Sequence, residues 1–84
     1  MSFLATTTNV ADPTPHLAAE GRRVGELRDA GLVAWLLVHV DGSGATFLVT
    51  TDDASTAREI VDSLPLVSSG TATVELREVR DPFA

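Results

Sequence analysis

The spacing of hydrophobic residues predicts four β-strands. Residues 3–10 (FLATTTNV) and 71–79 (TATVELREV) are rich in threonine and in β-branched or aromatic residues, which is typical of strands. Residues 32–40 (LVAWLLVHV) and 45–51 (ATFLVTT) flank the turn Asp41-Gly42-Ser43-Gly44. Two apolar runs joined by such a short glycine-containing turn indicate a β-hairpin.

Two helices are predicted between these strands. The first spans about residues 15–30, opened by the capping and proline residues of 12–15 and ended by Gly31. The second starts at Asp52 and Asp53 and ends at Leu64-Pro65. Its apolar seam has the spacing of a helix and consists of Ala54, Ala57, Val61 and Leu64. The resulting order β-α-β-β-α-β predicts one ferredoxin-like α+β domain over residues 1–84, with four antiparallel strands and both helices on one face.

The strand over residues 32–40 is apolar on both sides. Strict alternation places Val33, Trp35, Leu37 and His39 on one side, and Leu32, Ala34, Leu36, Val38 and Val40 on the other. A strand of this kind is buried on both faces, yet two short helices cover only one. We therefore expect a second copy of the chain to cover the other face, as a homodimer or higher homo-oligomer.

Composition narrows the classes of function. The net charge is −6 with a pI near 4.5, which argues against binding to nucleic acid. The absence of lysine excludes Schiff-base chemistry, and the absence of cysteine excludes thiolate metal sites. The longest apolar run, residues 32–38, is too short to span a bilayer, and the first residues lack the pattern of a signal peptide. We expect a cytoplasmic protein without membrane partners.

The first helix carries a glutamate where a core residue is expected. Leu17, Val24 and Leu27 form its apolar stripe, and Glu20 occupies the remaining position of that stripe. One interpretation is a general base, because apolar surroundings raise the pKa of a carboxylate toward neutrality. The other is a glutamate at the helix edge that pairs with Arg23 or Arg58.

Several short motifs, taken together, resemble the muconolactone isomerase family. They are Leu27-Arg28-Asp29-Ala30-Gly31, the glycine hairpin, and Asp62-Ser63-Leu64-Pro65-Leu66, and the resemblance covers about residues 14–79. It implies a dimeric α/β barrel that moves a proton between carbons of a small unsaturated lactone without a cofactor. The family's first helix has a glutamate eleven residues before its terminal glycine, and Glu20 stands eleven before Gly31.

The sequence also departs from this family. Val67-Ser68-Ser69 replaces the usual aromatic-Pro-aromatic run, and Trp35 is alone where two tryptophans are common. A pocket lining of different composition leaves the substrate open among a lactone, an enone and a polyketide-like acid. Related small barrels include YCII-like proteins with a His–Asp pair and cofactor-free monooxygenases of aromatic polyketides.

Two histidines are further candidates. His39 is predicted to act beside Glu20, as a proton relay or as a partner of the developing oxyanion, or else to be a strand-end residue hydrogen-bonded locally. His16 lies one helical turn before Glu20 and is either part of the substrate site or an exposed first-turn residue. A metal site requires about three converging ligands, and none is predicted.

The remaining candidates are assigned to substrate binding. Trp35 and Phe47 would form an aromatic wall or simply pack in the core, and Ser69 would form a polar rim or an ordinary loop. Glu20 and His39 are thus the predicted catalytic residues of a cofactor-independent isomerase. The alternatives are a non-catalytic dimeric barrel for ligand binding or assembly, and a cofactor-free monooxygenase.

Overall fold

The computed structural model describes residues 2–83; Met1 and Ala84, the ends of the predicted domain, lie outside the described residues. Within these described residues, eight elements follow one another. They are β1 (Ser2–Asn9), a 3₁₀ turn (Thr14–His16), α1 (Leu17–Asp29), β2 (Val33–Val38), β3 (Gly44–Val49), α2 (Ala54–Asp62), α3 (Pro65–Ser68) and β4 (Ala72–Val79). Within residues 2–83, no helix is long and apolar enough to cross a membrane.

The four strands form one antiparallel sheet with the order β2-β3-β1-β4. The helices pack on one face of this sheet, as the ferredoxin-like pattern requires. The core between the sheet and the helices contains Phe3, Ala5, Leu27, Val33, Phe47, Val49, Ala57, Ile60, Val61 and Leu64. The predicted fold class is therefore confirmed.

The other face of the sheet is not covered by a helix. We call it the open face; strand pairing and alternation place Leu4, Trp35, Leu37, Thr46 and Leu48 on it. Its apolar members are only partly shielded, and Trp35 and Leu37 are 41% and 62% exposed. The sheet thus presents apolar side chains on both sides, as the sequence predicted.

The predicted alternation within β2 is wrong at one point. Val33 pairs with Val49, but Leu36 pairs with Phe47, so the register shifts between these two pairs. An extra residue of this kind is a β-bulge, and it moves the following side chains to the other face. As a result Val33, which is 3% exposed, shares the helix-covered face with Leu36 rather than the open face with Leu37.

The helix boundaries follow local chemistry. α1 ends at Asp29, two residues before Gly31, whose φ of 75° suits a glycine. Asp53 caps α2 by accepting a hydrogen bond from the Thr56 N–H at 3.1 Å. α2 ends at Asp62, just before the predicted stop at Leu64-Pro65, and Pro65 begins α3, a short helix that the sequence did not predict. A proline is favoured at the first position of a helix, which is the position that Pro65 takes in α3.

The hairpin between β2 and β3 lies unusually close to β1. A Cβ atom at Gly44 would lie 1.9 Å from the carbonyl oxygen of Thr7, so only glycine fits at this position. This contact brings the hairpin turn against the end of β1. The same end of the sheet, on the helix-covered face, holds the cavity described next.

Candidate functional site: a cavity between the first helix and the sheet

A cavity of about 440 Å³ lies between α1 and the end of the sheet at which the hairpin turns. This volume is within the range of small-molecule sites. Its lining is mostly apolar and consists of Thr7, Asn9, Pro13, Leu17, Glu20, Gly21, Val24, Leu36, Val38, Gly42, Gly44, Ala45, Phe47 and Leu66. An apolar enclosure with few polar groups is the usual composition of a ligand site.

Glu20 is the ionisable residue of this lining. The helical stripe places it between Leu17 and Val24, so its side chain projects from α1 into the cavity wall. Its Oε1 accepts a hydrogen bond from the Leu66 N–H at 2.9 Å. Burial raises the pKa of Glu20 above its ordinary value, and the hydrogen bond from Leu66 opposes that rise only in part.

The ion-pair interpretation of Glu20 does not hold. Arg23 lies 3.7 Å from Glu26 and donates a hydrogen bond to Ser63 at 3.0 Å. Arg58 lies 3.8 Å from Asp62. Both arginines predicted as partners are therefore engaged elsewhere, and the contact that holds Glu20 is a backbone amide.

Two polar residues of β1 complete the cavity wall. The Thr7 hydroxyl donates to the Ala45 carbonyl at 3.3 Å and accepts from the Ala45 N–H at 3.1 Å. The Asn9 side-chain amide donates from Nδ2 to the Gly42 carbonyl at 3.2 Å. Sequence reasoning missed both residues, because a threonine-rich strand gives no indication of which positions will face a cavity.

Leu66 was also missed as a site residue. It follows the proline that begins α3, a short helix that the sequence did not predict. The resulting turn presents the Leu66 N–H to α1 and its side chain to the cavity. The Leu-Pro-Leu segment was noted as a motif, but its spacing does not reveal that a backbone amide would bind Glu20.

His39 does not lie in the cavity. Its Nε2 is 2.8 Å from the Thr46 hydroxyl and its Nδ1 is 3.1 Å from the Ser43 hydroxyl. Thr46 belongs to the open face, whereas its neighbours Ala45 and Phe47 line the cavity. Glu20 and His39 are therefore on opposite faces of the sheet, and their predicted cooperation in one cavity does not occur within one chain.

The other predicted binding residues are divided in the same way. Phe47 is 2% exposed and forms part of the cavity wall. Trp35 belongs to the open face, and His16 precedes α1 outside the lining. Ser69 is exposed beyond α3, where its hydroxyl lies 2.8 Å from that of Thr71. Of the four predicted substrate-binding residues, the structure brings only Phe47 to Glu20's cavity.

The carboxylates and histidines are dispersed over the fold. Across residues 2–83, no group of three or more histidine, aspartate and glutamate side chains is placed to hold a metal ion. The ionisable chemistry of the cavity therefore rests on Glu20.

The sheet, the helices and the cavity define a ferredoxin-like α+β domain with space for a small ligand. No family model matches the chain, and no curated protein matches it. Among solved structures it is similar to the 5-chloro-2-hydroxyhydroquinone dehydrochlorinase TftG from Burkholderia phenoliruptrix AC1100, in complex with 2,5-dihydroxybenzoquinone. The TM-score is 0.79 at 12% identity, covering 95% of this chain and 94% of that chain. This likeness concerns the fold, and it agrees with the predicted resemblance at that level.

Proposed function

We propose that this chain is a cofactor-independent proton-transfer enzyme that isomerises a small unsaturated lactone, enone or polyketide-like acid. The observation that carries the proposal is the half-buried carboxylate of Glu20 in an apolar cavity, with its pKa raised by burial. A general base is most effective when its pKa lies near the working pH, because it must both take and return a proton.

The proposed reaction uses Glu20 in both directions. Its carboxylate takes a proton from the carbon α or γ to the substrate carbonyl, and the electron pair left behind spreads into the conjugated system as an enolate. The carboxyl proton exchanges with water at this half-buried site, and a proton is then delivered to another carbon of the conjugated system, which restores the carboxylate. No electrons are gained or lost, so the reaction requires no redox partner.

The hydrogen bond from Leu66 gives the two carboxylate oxygens different tasks. Oε1 accepts from the Leu66 N–H at 2.9 Å and is held in place. Oε2 is then the oxygen that exchanges a proton with the substrate. Fixing one oxygen orients the other, which reduces the cost of reaching a reactive geometry.

The fold neighbour supports a small, unsaturated ring as substrate. Its name describes the removal of hydrogen chloride from a chlorinated, hydroxylated ring, and its bound ligand is a small quinone. Loss of hydrogen chloride also involves removal of a proton. We infer that a compact cyclic molecule of this kind fits the apolar cavity of the present chain.

Hydrogen exchange tests this proposal directly. The wild-type chain and Glu20→Gln are incubated with muconolactone in D₂O, and deuterium incorporation is followed by NMR. Glutamine keeps an oxygen for the Leu66 N–H but cannot accept a proton from carbon, so exchange should fall at least about a hundredfold, in line with loss of a general base. Glu26→Gln, an exposed glutamate on the same helix, is the matched control and should exchange like the wild type.

The alternatives predict other results. A non-catalytic ligand-binding barrel would give no exchange with any of the three proteins. A cofactor-free monooxygenase would consume oxygen in the presence of an aromatic polyketide. Exchange that persists in Glu20→Gln would remove Glu20 from the role of base.

We also propose that the enzyme is a homodimer, or a larger homo-oligomer built from it, and that it works in the cytoplasm. The support is the open face, where Trp35 and Leu37 are 41% and 62% exposed. Covering a large apolar side chain stabilises a protein by about 1.5–3 kcal/mol relative to leaving it in water. Analytical ultracentrifugation at micromolar concentration should find at least a dimer, and a stable monomer would contradict this part of the proposal.

A further inference from the structure

One polar atom of a cavity-lining residue has no hydrogen-bond partner. Asn9 Oδ1 is shielded from solvent and, within residues 2–83, receives no hydrogen bond. Most buried polar groups in proteins are hydrogen-bonded, and leaving one unpaired costs about 1–3 kcal/mol. An exception of this kind next to a cavity requires an explanation.

The Gly42 carbonyl determines which end of the Asn9 amide faces it. Nδ2 is 3.2 Å from the Gly42 carbonyl oxygen. A carbonyl oxygen only accepts hydrogen bonds, so the nitrogen must face Gly42 and the unpaired atom must be the oxygen. Asn9 Oδ1 is therefore a hydrogen-bond acceptor without a donor among the described residues.

Thr7, two residues earlier on β1, shows the contrast. It lines the same cavity, but Ala45 satisfies its hydroxyl both as donor and as acceptor. Asn9 is thus a cavity-lining side chain with unused hydrogen-bonding capacity. The carboxylate of Glu20, with one oxygen bound by Leu66, has the same property.

We propose that Asn9 determines ligand specificity in this cavity by accepting a hydrogen bond from a hydroxyl group of a compact, otherwise apolar ligand. The proposal rests on the cavity being the ligand site, as in the proposed function, but not on the reaction. A buried acceptor that finds its donor only in the ligand rejects analogues that lack the donor.

Oδ1 is shielded in this conformation, so a ligand hydroxyl reaches it only when the Asn9 amide rotates. The Cβ–Cγ torsion of asparagine is broad, so the amide rotates at little cost. The Nδ2 contact with Gly42 is at the long end of the range for N–H···O bonds and does not resist a slight rotation. The ligand hydroxyl then supplies the missing donor while Nδ2 stays near Gly42.

The composition of the chain makes this proposal easy to test. Asn9 is the only asparagine and the chain has no glutamine, so its side-chain NH₂ gives a unique pair of amide signals. The protein is titrated with 1,4-dihydroxybenzene and with 1,4-dimethoxybenzene, which cannot donate, while the Asn9 amide and Cγ signals are recorded. The dihydroxy compound should shift the Asn9 signals and bind about tenfold more tightly.

Three variants assign that preference to Asn9. Asn9→Leu has a similar shape without the amide, so the tenfold preference should disappear. Thr8→Val, an exposed neighbour on the same strand, should keep it. Glu26→Gln, an exposed change on α1 outside the cavity lining, should also keep it. The titration records binding alone, whereas proton exchange is measured separately with Glu20→Gln. Binding and reaction can therefore fail separately.

Several results would overturn the proposal. They are the absence of binding by either compound, equal binding of both to the wild type, and a preference that survives in Asn9→Leu. Shifts of the Asn9 signals by the dimethoxy compound alone would also contradict it. The NMR readout on the wild-type chain decides the matter even if Asn9→Leu does not fold.

Discussion

The two faces of the sheet have similar strands but different surroundings. On the covered face, Phe47 and Val33 are buried beneath the helices, at 2% and 3% exposure. On the open face, Trp35 and Leu37 come from the same hairpin and remain exposed. The hydrophobic pattern alone does not distinguish these positions, because both faces are apolar. The buried and exposed positions differ because the connecting helices pack over only one face of the sheet.

This difference divides the candidate chemistry as well. Glu20 belongs to α1 and therefore lies on the covered face, where burial raises its pKa. His39 lies on the open face and is bound by two hydroxyl groups. The base that we propose is thus on the face that the helices of the same chain cover.

The largest effect is expected on the covered face. Phe47→Ala removes a ring that is buried in the core and also forms the cavity wall, so the free energy of unfolding should fall by about 3–5 kcal/mol. Urea denaturation measures this loss. Trp35→Ala, on the open face, is the matched control and should cost less than about 1 kcal/mol in a dissociated chain. Equal losses would mean that the two faces do not differ as described.

The next effect concerns association through the open face. Leu37→Glu places a charge among apolar side chains that a second copy is proposed to cover, so the dissociation constant of the dimer should rise about a hundredfold or more. Sedimentation velocity across a concentration series measures the change. Val40→Glu makes the same substitution at a fully exposed position outside the strands and should leave association unchanged. Dissociation by both variants, or by neither, would argue against an interface at the open face.

The sequence predicts the elements better than their contacts. Alternation and helical spacing identify all four strands and both long helices, because strands and helices each impose their own period on the hydrophobic residues. The bulge before Leu36 is different, since no local pattern distinguishes an extra residue from an ordinary strand position. It reverses the sides of β2, so Val33 was assigned to the same side as Leu37.

The residues around the cavity are also only partly predictable from the sequence, because a local pattern identifies some of them and tertiary contacts determine the others. Glu20 is recognisable because it interrupts an apolar stripe on one helix. Its partner, the Leu66 N–H, is 46 positions away in sequence and is a backbone group that every residue but proline possesses. Asn9 likewise reaches the cavity through the packing of the hairpin against β1. Contacts of this kind depend on tertiary structure, so they cannot be predicted from the spacing of residues in the sequence.

A smaller effect is expected for His39. His39→Ala removes ring contacts with Ser43 and Thr46 at the surface, which should lower the free energy of unfolding by about 1 kcal/mol. Deuterium exchange into muconolactone should stay within about twofold of the wild type, because the ring is on the face away from Glu20. A loss of exchange as large as that of Glu20→Gln would show that the open face takes part in the reaction.

The smallest expected effect is the pH dependence of stability that arises from Glu20. Burial raises its folded-state pKa above the ordinary value of 4.5, so between these two values the folded chain binds more protons than the unfolded chain. The contribution of Glu20 to stability is therefore complete below the ordinary pKa and is lost as pH rises through the folded-state pKa. Glutamine does not titrate, so wild type should lose stability relative to Glu20→Gln as pH increases across this window.

Comparing the two proteins isolates that contribution. Hydrogen bonds lower the pKa values of Asp12, Asp41 and Asp53, which changes stability with pH in the opposite direction. These three residues are present in both proteins, so their contributions cancel in the comparison. Glu26→Gln controls for the loss of one negative charge from α1. Urea denaturation at several pH values measures the difference. If the difference in the free energy of unfolding between the two proteins stays constant with pH, or changes in the opposite direction, Glu20 is not held in an apolar environment. The covered face would then not supply a carboxylate with a raised pKa.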